Sequence, residues 1–322
     1  MPRPSPEAAI SEAPAAQAAT GIFNFEAGTP PNRLQSPRYM ADPHAITLPL
    51  LPAGAMQPSE RDHNEAAVRA RACSAYLGDH TALCRIMGRY KCYVDTRDIG
   101  LASHLMLDGY WEMWVTEALS ALVTPGMTVA DIGANLGYFS VLLADWVGPH
   151  GRMFAFEPNP RMHDLLTRTL AVNGMHHASP HRVALGDRAG EAMLVIPQGE
   201  PKNAYIAPLS DPLPDRAVRV STSRLDQNPD WADIELAKID VEGAEELIWA
   251  GMAGLLDRHT LKTVVLEFTP VRYRDPMRFL RALIAPGFSL ARIDIHDGIV
   301  ECNPEHVLAG AAHDDVMLVL RR

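Results

Sequence analysis

Met127-Thr128-Val129-Ala130-Asp131-Ile132-Gly133-Ala134-Asn135-Leu136-Gly137-Tyr138-Phe139-Ser140 is the stretch on which the fold turns. Val129 to Ile132 is a short apolar run with one acid near its end, which reads as a buried strand. Gly133, Ala134 and Asn135 are small or turn-prone, and beyond Gly137 the residues Tyr138, Phe139, Val141, Leu142 and Leu143 return at helical spacing. Strand, tight glycine loop and helix together open a βαβ unit of the kind that holds a nucleotide-like ligand. Glycine is needed in such a loop because the chain turns sharply and bare backbone must approach the ligand.

The acid narrows the ligand. A dinucleotide site would read Gly-x-Gly-x-x-Gly and bring a pyrophosphate to the helix N-terminus. Here the pattern is Asp-x-Gly-x-Asn-x-Gly, and a carboxylate beside a pyrophosphate would repel it. Asp131 suits a ligand with a cation and hydroxyls, such as S-adenosylmethionine, whose own carboxylate can still use the helix N-terminus. The next strand, Met153 to Phe156, closes with Glu157-Pro158-Asn159-Pro160, which places Glu157 26 residues after Asp131. An acid at that strand end accepts hydrogen bonds from ribose hydroxyls; the alternative for Glu157 is a helix N-terminal charge favoured by the dipole.

Composition excludes several classes. The chain has 322 residues, 47% hydrophobic and 21% charged, ordinary for a globular protein with a sizeable core. A formal net charge of -10 argues against a nucleic-acid surface, which needs clustered Lys and Arg. Cys73, Cys84, Cys92 and Cys302 form no Cys-x-x-Cys pair and read as free thiols of a reducing compartment. No apolar run spans a bilayer and no signal peptide is read at the N-terminus, so the expectation is a cytoplasmic protein.

In chain order, residues 1–60 form a Pro/Ala-rich tail expected to be disordered. Residues 61–123 are expected as a helical lid. Ala67, Val68, Ala72, Tyr76, Leu77, Leu83 and Ile86 give helical spacing from His63 to Met87, followed by a short strand, Tyr90 to Val94, and helices around Leu105 and Trp114 to Leu122. Residues 124–322 form the ligand-binding domain. Its third strand is expected at Arg182 to Leu185, so that Asp187 either meets an adenine edge or serves a turn. A Pro-rich loop, Pro197 to Pro214, carries Lys202, Asn203 and Tyr205 and either lines an acceptor site or is a surface excursion. Leu236-Ala237-Lys238-Ile239-Asp240-Val241-Glu242-Gly243-Ala244-Glu245 runs a strand into a helix with carboxylates at the strand's end, where ligands bind in α/β sheets. Lys262 to Phe268 is another strand closed by an acid, Glu267, and the last two strands are expected as a hairpin joined by a loop without helical periodicity.

Taken together, Asp131 to Tyr138, Phe156-Glu157-Pro158-Asn159, Leu225-Asp226 and Lys238 to Glu245, with Asp98 and Gly109-Tyr110-Trp111-Glu112 ahead of them, resemble the FkbM family of class I S-adenosylmethionine-dependent methyltransferases. The resemblance covers roughly residues 88 to 270. It implies an α/β, Rossmann-like fold with a seven-stranded, mostly parallel sheet and a reversed edge strand. It also implies methyl transfer to a hydroxyl of a sugar, glycan or natural-product small molecule. The cofactor contacts expected are Asp131, Gly133, Ala134, Asn135, Gly137, Tyr138, Glu157, Pro158, Asn159, Asp187 and Asp240. For a general base the candidates are Asp240 and Glu242, followed by Glu267 and His104. Adjacent carboxylates suit a hard cation, but without a His or Asn ligand pattern no metal is expected. Three other readings compete: a nicotinamide oxidoreductase, which lacks its glycine pattern; a nucleic-acid methyltransferase or other enzyme with a nitrogen acceptor, whose Pro-Pro-aromatic motif is replaced by Asp240-Val241-Glu242-Gly243 and which the acidic charge opposes; and a non-catalytic S-adenosylmethionine-binding or assembly module.

Overall fold

The structure is a computed structural model that describes residues 56–207, 216–310 and 315–322. The expected tail lies outside the described residues except for its last five, and part of the Pro-rich loop lies outside them too.

The first departure from expectation is in residues 61–123. Helix α1 (Arg61–Arg69) ends early, and β1 (Ser74–Gly78), β2 (Thr81–Ile86) and β3 (Tyr90–Asp95) follow as an antiparallel sheet in that order. The helical spacing read from His63 to Met87 is therefore wrong over most of its length. In β2 Ala82, Cys84 and Ile86 are buried at a period of two, after a buried Thr81 at the strand's start, while Tyr76 and Leu77 of β1 are exposed. The reversal between β1 and β2 puts Asp79 and His80 both at positive φ, 45° and 51°, the geometry of a type I′ hairpin without its usual Asn-Gly. β3 docks on the helix α5 (Pro160–Val172) described below: Tyr93 N–H donates to Thr169 Oγ1 at 3.0 Å. Just past that helix, Asn173 holds both the N–H and the carbonyl of Lys91. Two helices follow, α2 (Leu101–Leu107) and α3 (Met113–Leu122).

The organising stretch forms strand β4 (Thr128–Ile132) and helix α4 (Tyr138–Val147), followed by β5 (Arg152–Phe156), α5 and β6 (Ala178–His181). A separate four-stranded sheet comes next: β7 (Ala184–Leu185), β8 (Gly190–Val195), β9 (Tyr205–Ala207) and β10 (Ala217–Ser223), ordered β7-β10-β8-β9. The chain then gives β11 (Leu236–Ile239), α6 (Glu245–Ala250), α7 (Ala253–Asp257), β12 (Thr263–Phe268), α8 (Pro276–Ile284), β13 (Ser289–Asp294), β14 (Gly298–Glu301), α9 (Pro304–Gly310) and β15 (Val316–Arg321).

The main sheet runs β14-β13-β15-β12-β11-β4-β5-β6. The five strands from β12 to β6 pair in parallel, and β15 is antiparallel to both β12 and β13. This is the expected mostly parallel Rossmann-like sheet. The reversed strand lies one place inside β13, and β14 adds an eighth strand. The third parallel strand is 178–181, not 182–185, which instead supplies β7 to the smaller sheet. Pro180 is tolerated in β6 because that strand is an edge. Between the last strands, β14 and α9 replace the expected loop.

Alternation along the parallel strands sends side chains to two cores. Val129 and Leu236 join α2 to α5 and the β1–β3 sheet on one face; Ala130, Ile132, Ala237 and Ile239 join α6 to α9 on the other. Because α1, β2 and β3 share the first core, residues 61–123 are built into the domain rather than laid over it.

Candidate active site

The loop between β4 and α4 is fixed by its backbone. Gly133 and Ala134 N–H both donate to the Phe156 carbonyl at 3.0 Å, and Asn135 N–H donates to Glu157 Oε2 at 2.8 Å. Leu136 N–H bonds to Asn135 Oδ1 and Gly137 N–H to the Ala134 carbonyl. The loop thus spends these five N–H groups on itself and on the end of β5, leaving no nest of donors for a phosphate. Gly133 has φ +84°, and a Cβ there would stand 1.9 Å from the Asp240 carbonyl, so the ends of β4 and β11 approach closely only because the residue is glycine. Gly137 has a different reason: a Cβ would meet Leu166 Cδ1 at 2.8 Å, so this glycine serves the packing of α4 on α5.

Two lobes of one cleft meet at this loop. The first, about 650 Å³, is lined by Gly133, Asn135, Glu157, Pro158, Leu185, Tyr205 and Ile248 among others. The second, about 620 Å³, is lined by Ala134, Tyr138, Phe139, Trp111, Glu112, Lys238 and Glu267. Gly133, Asn135, Lys202, Asp240 and Glu242 border both. Lys202 Nζ lies 5.1 Å from the Trp111 ring centroid, so the Pro-rich segment contributes to the site instead of leaving it.

Glu157 is 7% exposed; Oε2 accepts from Asn135 and Oε1 from Asn159 N–H at 2.8 Å. Burial raises its pKa to about 7 against the pull of those two N–H groups. Each carboxylate oxygen retains a lone pair, so the residue that pins the loop still has acceptors for the cleft. Asp240 receives Lys238 Nζ at 2.8 Å. Glu242 and Glu267 are joined by Arg272, which bonds Glu242 and reaches Glu267 Oε2 at 2.8 Å. Burial raises the pKa of both acids, with Asp240 adding to it and Arg272 opposing. The cation among these carboxylates is a guanidinium, and no cluster of three or more His, Cys, Asp or Glu among the described residues is arranged to hold a metal ion.

Asp131 lines neither lobe. It is fully buried on the α4 side of the sheet, where Oδ2 accepts from Ser140 Oγ at 2.6 Å and Oδ1 lies 3.9 Å from Lys238 Nζ. The reason is strand alternation: Asp131 shares a face with Val129, and its cross-strand partner is Lys238. Burial opposes the charge of Lys238, but Asp240 and Asp131 together outweigh it and raise its pKa. Asp131 therefore braces the lysine that holds Asp240.

Asp187 and His104 also lie outside the cleft. Asp187 follows β7 in the smaller sheet, and its carbonyl accepts from Arg224. His104, exposed on α2, has its ring centroid 5.3 Å from that of Trp111 and bonds Asp108 at 3.3 Å. Asn159 caps α5 by accepting from Arg161 N–H. Sequence reasoning missed three site residues: Lys238, Arg272 and Glu112. Lys238 was readable, since two residues before Asp240 is the same face of a strand. No local signal pointed to Arg272. Glu112 belongs to the Gly-Tyr-Trp-Glu stretch, but only the structure shows its φ of 39° and its place in the second lobe.

A glycine loop after the first parallel strand, an acid ending the second and acids ending the next two place a ligand cleft at the carboxyl ends of the strands of a Rossmann-like α/β protein. The chain belongs to the FkbM methyltransferase family: the family described as "Methyltransferase FkbM domain" matches residues 131–317. Methyltransferase sdnD of Sordaria araneosa is 30% identical over 198 residues, covering 51% of this chain and 74% of that protein. Among solved structures, precorrin-6y C5,15-methyltransferase from Geobacter metallireducens aligns with a TM-score of 0.37 at 15% identity, covering 66% of this chain and 89% of that one. TYW2 of M. jannaschii, in complex with AdoMet, aligns with a TM-score of 0.37 at 13% identity, covering 77% and 88%. Among the described residues, no helix is long and apolar enough to cross a membrane.

Proposed function

We propose that this chain transfers the methyl group of S-adenosylmethionine to a hydroxyl oxygen of a sugar, glycan or other natural-product small molecule. The observation that carries the reading is Glu157, a buried acid at the end of β5 that faces the first lobe with acceptors to spare. The residues fit the donor: apolar side chains (Ile132, Val183, Leu185, Ile248) suit an adenine, Glu157 suits a ribose diol, and the loop backbone at Gly133 leaves room between the lobes.

When bound, the donor supplies a methyl carbon already activated by its sulfonium. What the chain must add is mainly alignment, which is worth roughly 7–11 kcal/mol of barrier when reactants are held in line. Asp240, held by Lys238, forms the border between the lobes, and Glu242 and Glu267 line the acceptor side. An acceptor hydroxyl loses a proton as it is methylated, and a base tuned towards neutral pH contributes about 10²–10⁴-fold. Glu242 and Glu267, raised by burial and bridged by Arg272, are the pair assigned to take that proton. His104, exposed on α2 and bonded to Asp108, lines neither lobe and is given no part in this reading.

The test is incubation with isotopically labelled S-adenosylmethionine and a panel of hydroxylated acceptors, read by mass spectrometry. Label in a methyl ether supports the proposal. Label on a nitrogen, or donor binding with no label transferred to any acceptor in a host metabolite extract, overturns it in favour of an amine acceptor or a binding module.

A further inference from the structure

Five carboxylates line the two lobes, and four of them are engaged. Glu157 holds two backbone N–H groups, Asp240 holds Lys238, and Glu242 and Glu267 share Arg272. The carboxylate of the fifth, Glu112, accepts no hydrogen bond and makes no ion pair among the described residues; only its backbone carbonyl is used, by Val115 and Thr116 N–H. It is the N-cap residue of α3, a position from which a glutamate would ordinarily keep extended backbone and stay near the helix end. Here φ 39° and ψ 65° turn the residue away from that role, with no side-chain cap bond, and it lines the second lobe beside the glycine loop. The charged groups around it are Asp240 and Lys238 at the end of β11, Lys202 beside Trp111, and Asp315 ahead of β15.

A partly buried carboxylate without a partner is costly unless a cation meets it. The second lobe sets Glu112, Asp240, Glu242 and Glu267 against Lys202 and Lys238, so it has room for positive charge. We infer that Glu112 is the counter-ion for the α-ammonium group of the methyl donor, whose amino-acid end enters this lobe. This inference rests on the reading of the cleft as an S-adenosylmethionine site. An ammonium offers three N–H donors and no acceptor, which is what an unpartnered carboxylate needs. Each acid of the cleft then meets a different part of the reactants: Glu157 the nucleoside, Glu112 the amino acid, Glu242 and Glu267 the acceptor.

The experiment is titration calorimetry on the full chain with three probes. These are S-adenosylhomocysteine, its deamino analogue, and 5′-methylthioadenosine, which lacks the whole amino-acid group. Glu112→Gln is expected to weaken S-adenosylhomocysteine about 10- to 100-fold, the size of one hydrogen bond to a charged group. The other two probes should stay within about 2-fold of wild type, which isolates the pairwise contact. Glu112→Asp keeps the charge and should show the same ranking at smaller size, a check that does not depend on the Gln variant folding well. Unchanged affinity for S-adenosylhomocysteine, or equal loss for all three probes, overturns the inference. Wild-type protein that binds none of the three overturns the donor-site reading itself, a result distinct from either.

Discussion

Glu157 pins the glycine loop and, in the proposed reading, meets the ribose, so its substitution tests both roles. Glu157→Ala leaves the Asn135 and Asn159 N–H groups without their acceptor, so we expect a stability loss of about 1–3 kcal/mol together with at least about tenfold weaker nucleoside binding. Urea unfolding and calorimetry measure the two separately; normal binding of 5′-methylthioadenosine would remove Glu157 from the ribose. Asp131→Asn should behave differently, because Asp131 lies behind the sheet with Ser140 and Lys238. It should lower stability more than it lowers nucleoside affinity, and a selective loss of affinity would contradict the placement. Arg272→Met strips the cation from Glu242 and Glu267. Since the three side chains remain partly exposed, the expected cost is about 1–3 kcal/mol, less than for a fully buried pair. At this scale the motif residues near the loop were legible in sequence. Arg272 was not, because nothing local ties it to acids on two other strand ends. The side of the sheet that Asp131 faces was not legible from the motif, because a residue in a strand faces where alternation sends it, whatever its nearness to a glycine.

The glycine loop is the element on which the cleft depends. Gly133→Ala puts a methyl group against the Asp240 carbonyl at a φ of +84°, so β4 and β11 must part or the loop must shift. We expect about 1–3 kcal/mol of destabilisation from the backbone alone, and loss of donor binding out of proportion to it. Native affinity in this variant, measured by calorimetry, would show that the loop does not shape the site. The parallel strands and their helices were readable because each is a short apolar run followed by turn residues and a 3.6-residue pattern. The β1–β2 hairpin was not. Its left-handed turn is made by Asp79 and His80, without the Asn-Gly that announces one, and its scattered apolar residues fit two periods at once. The third strand was displaced by four residues because Pro180 argues against a strand unless the strand is known to be at an edge.

Across the whole molecule, the buried acids make stability depend on pH in a definite direction. Glu112, Glu157 and Glu245 are each raised from 4.5 to about 7, chiefly by burial. The folded chain holds their protons where the unfolded chain has lost them, so their contribution is complete below pH 4.5 and disappears as pH rises through about 7. His163 and His181, lowered by burial, act the other way, but only below their ordinary value of 6.5. The ligand-free protein should therefore melt at progressively lower temperature as pH rises from 6.5 through about 7, and Glu245→Gln should flatten the slope. A melting temperature that is level or rising over that range contradicts this assignment of buried acids. The claim beneath all of these is that one continuous cleft, jointed at Gly133, holds an adenosine-based methyl donor. A crystal structure of the chain with S-adenosylhomocysteine tests it most directly. The ribose hydroxyls should lie within hydrogen-bond distance of Glu157, with the amino-acid end in the lobe of Glu112; a ligand bound elsewhere, or reversed between the lobes, would contradict the account.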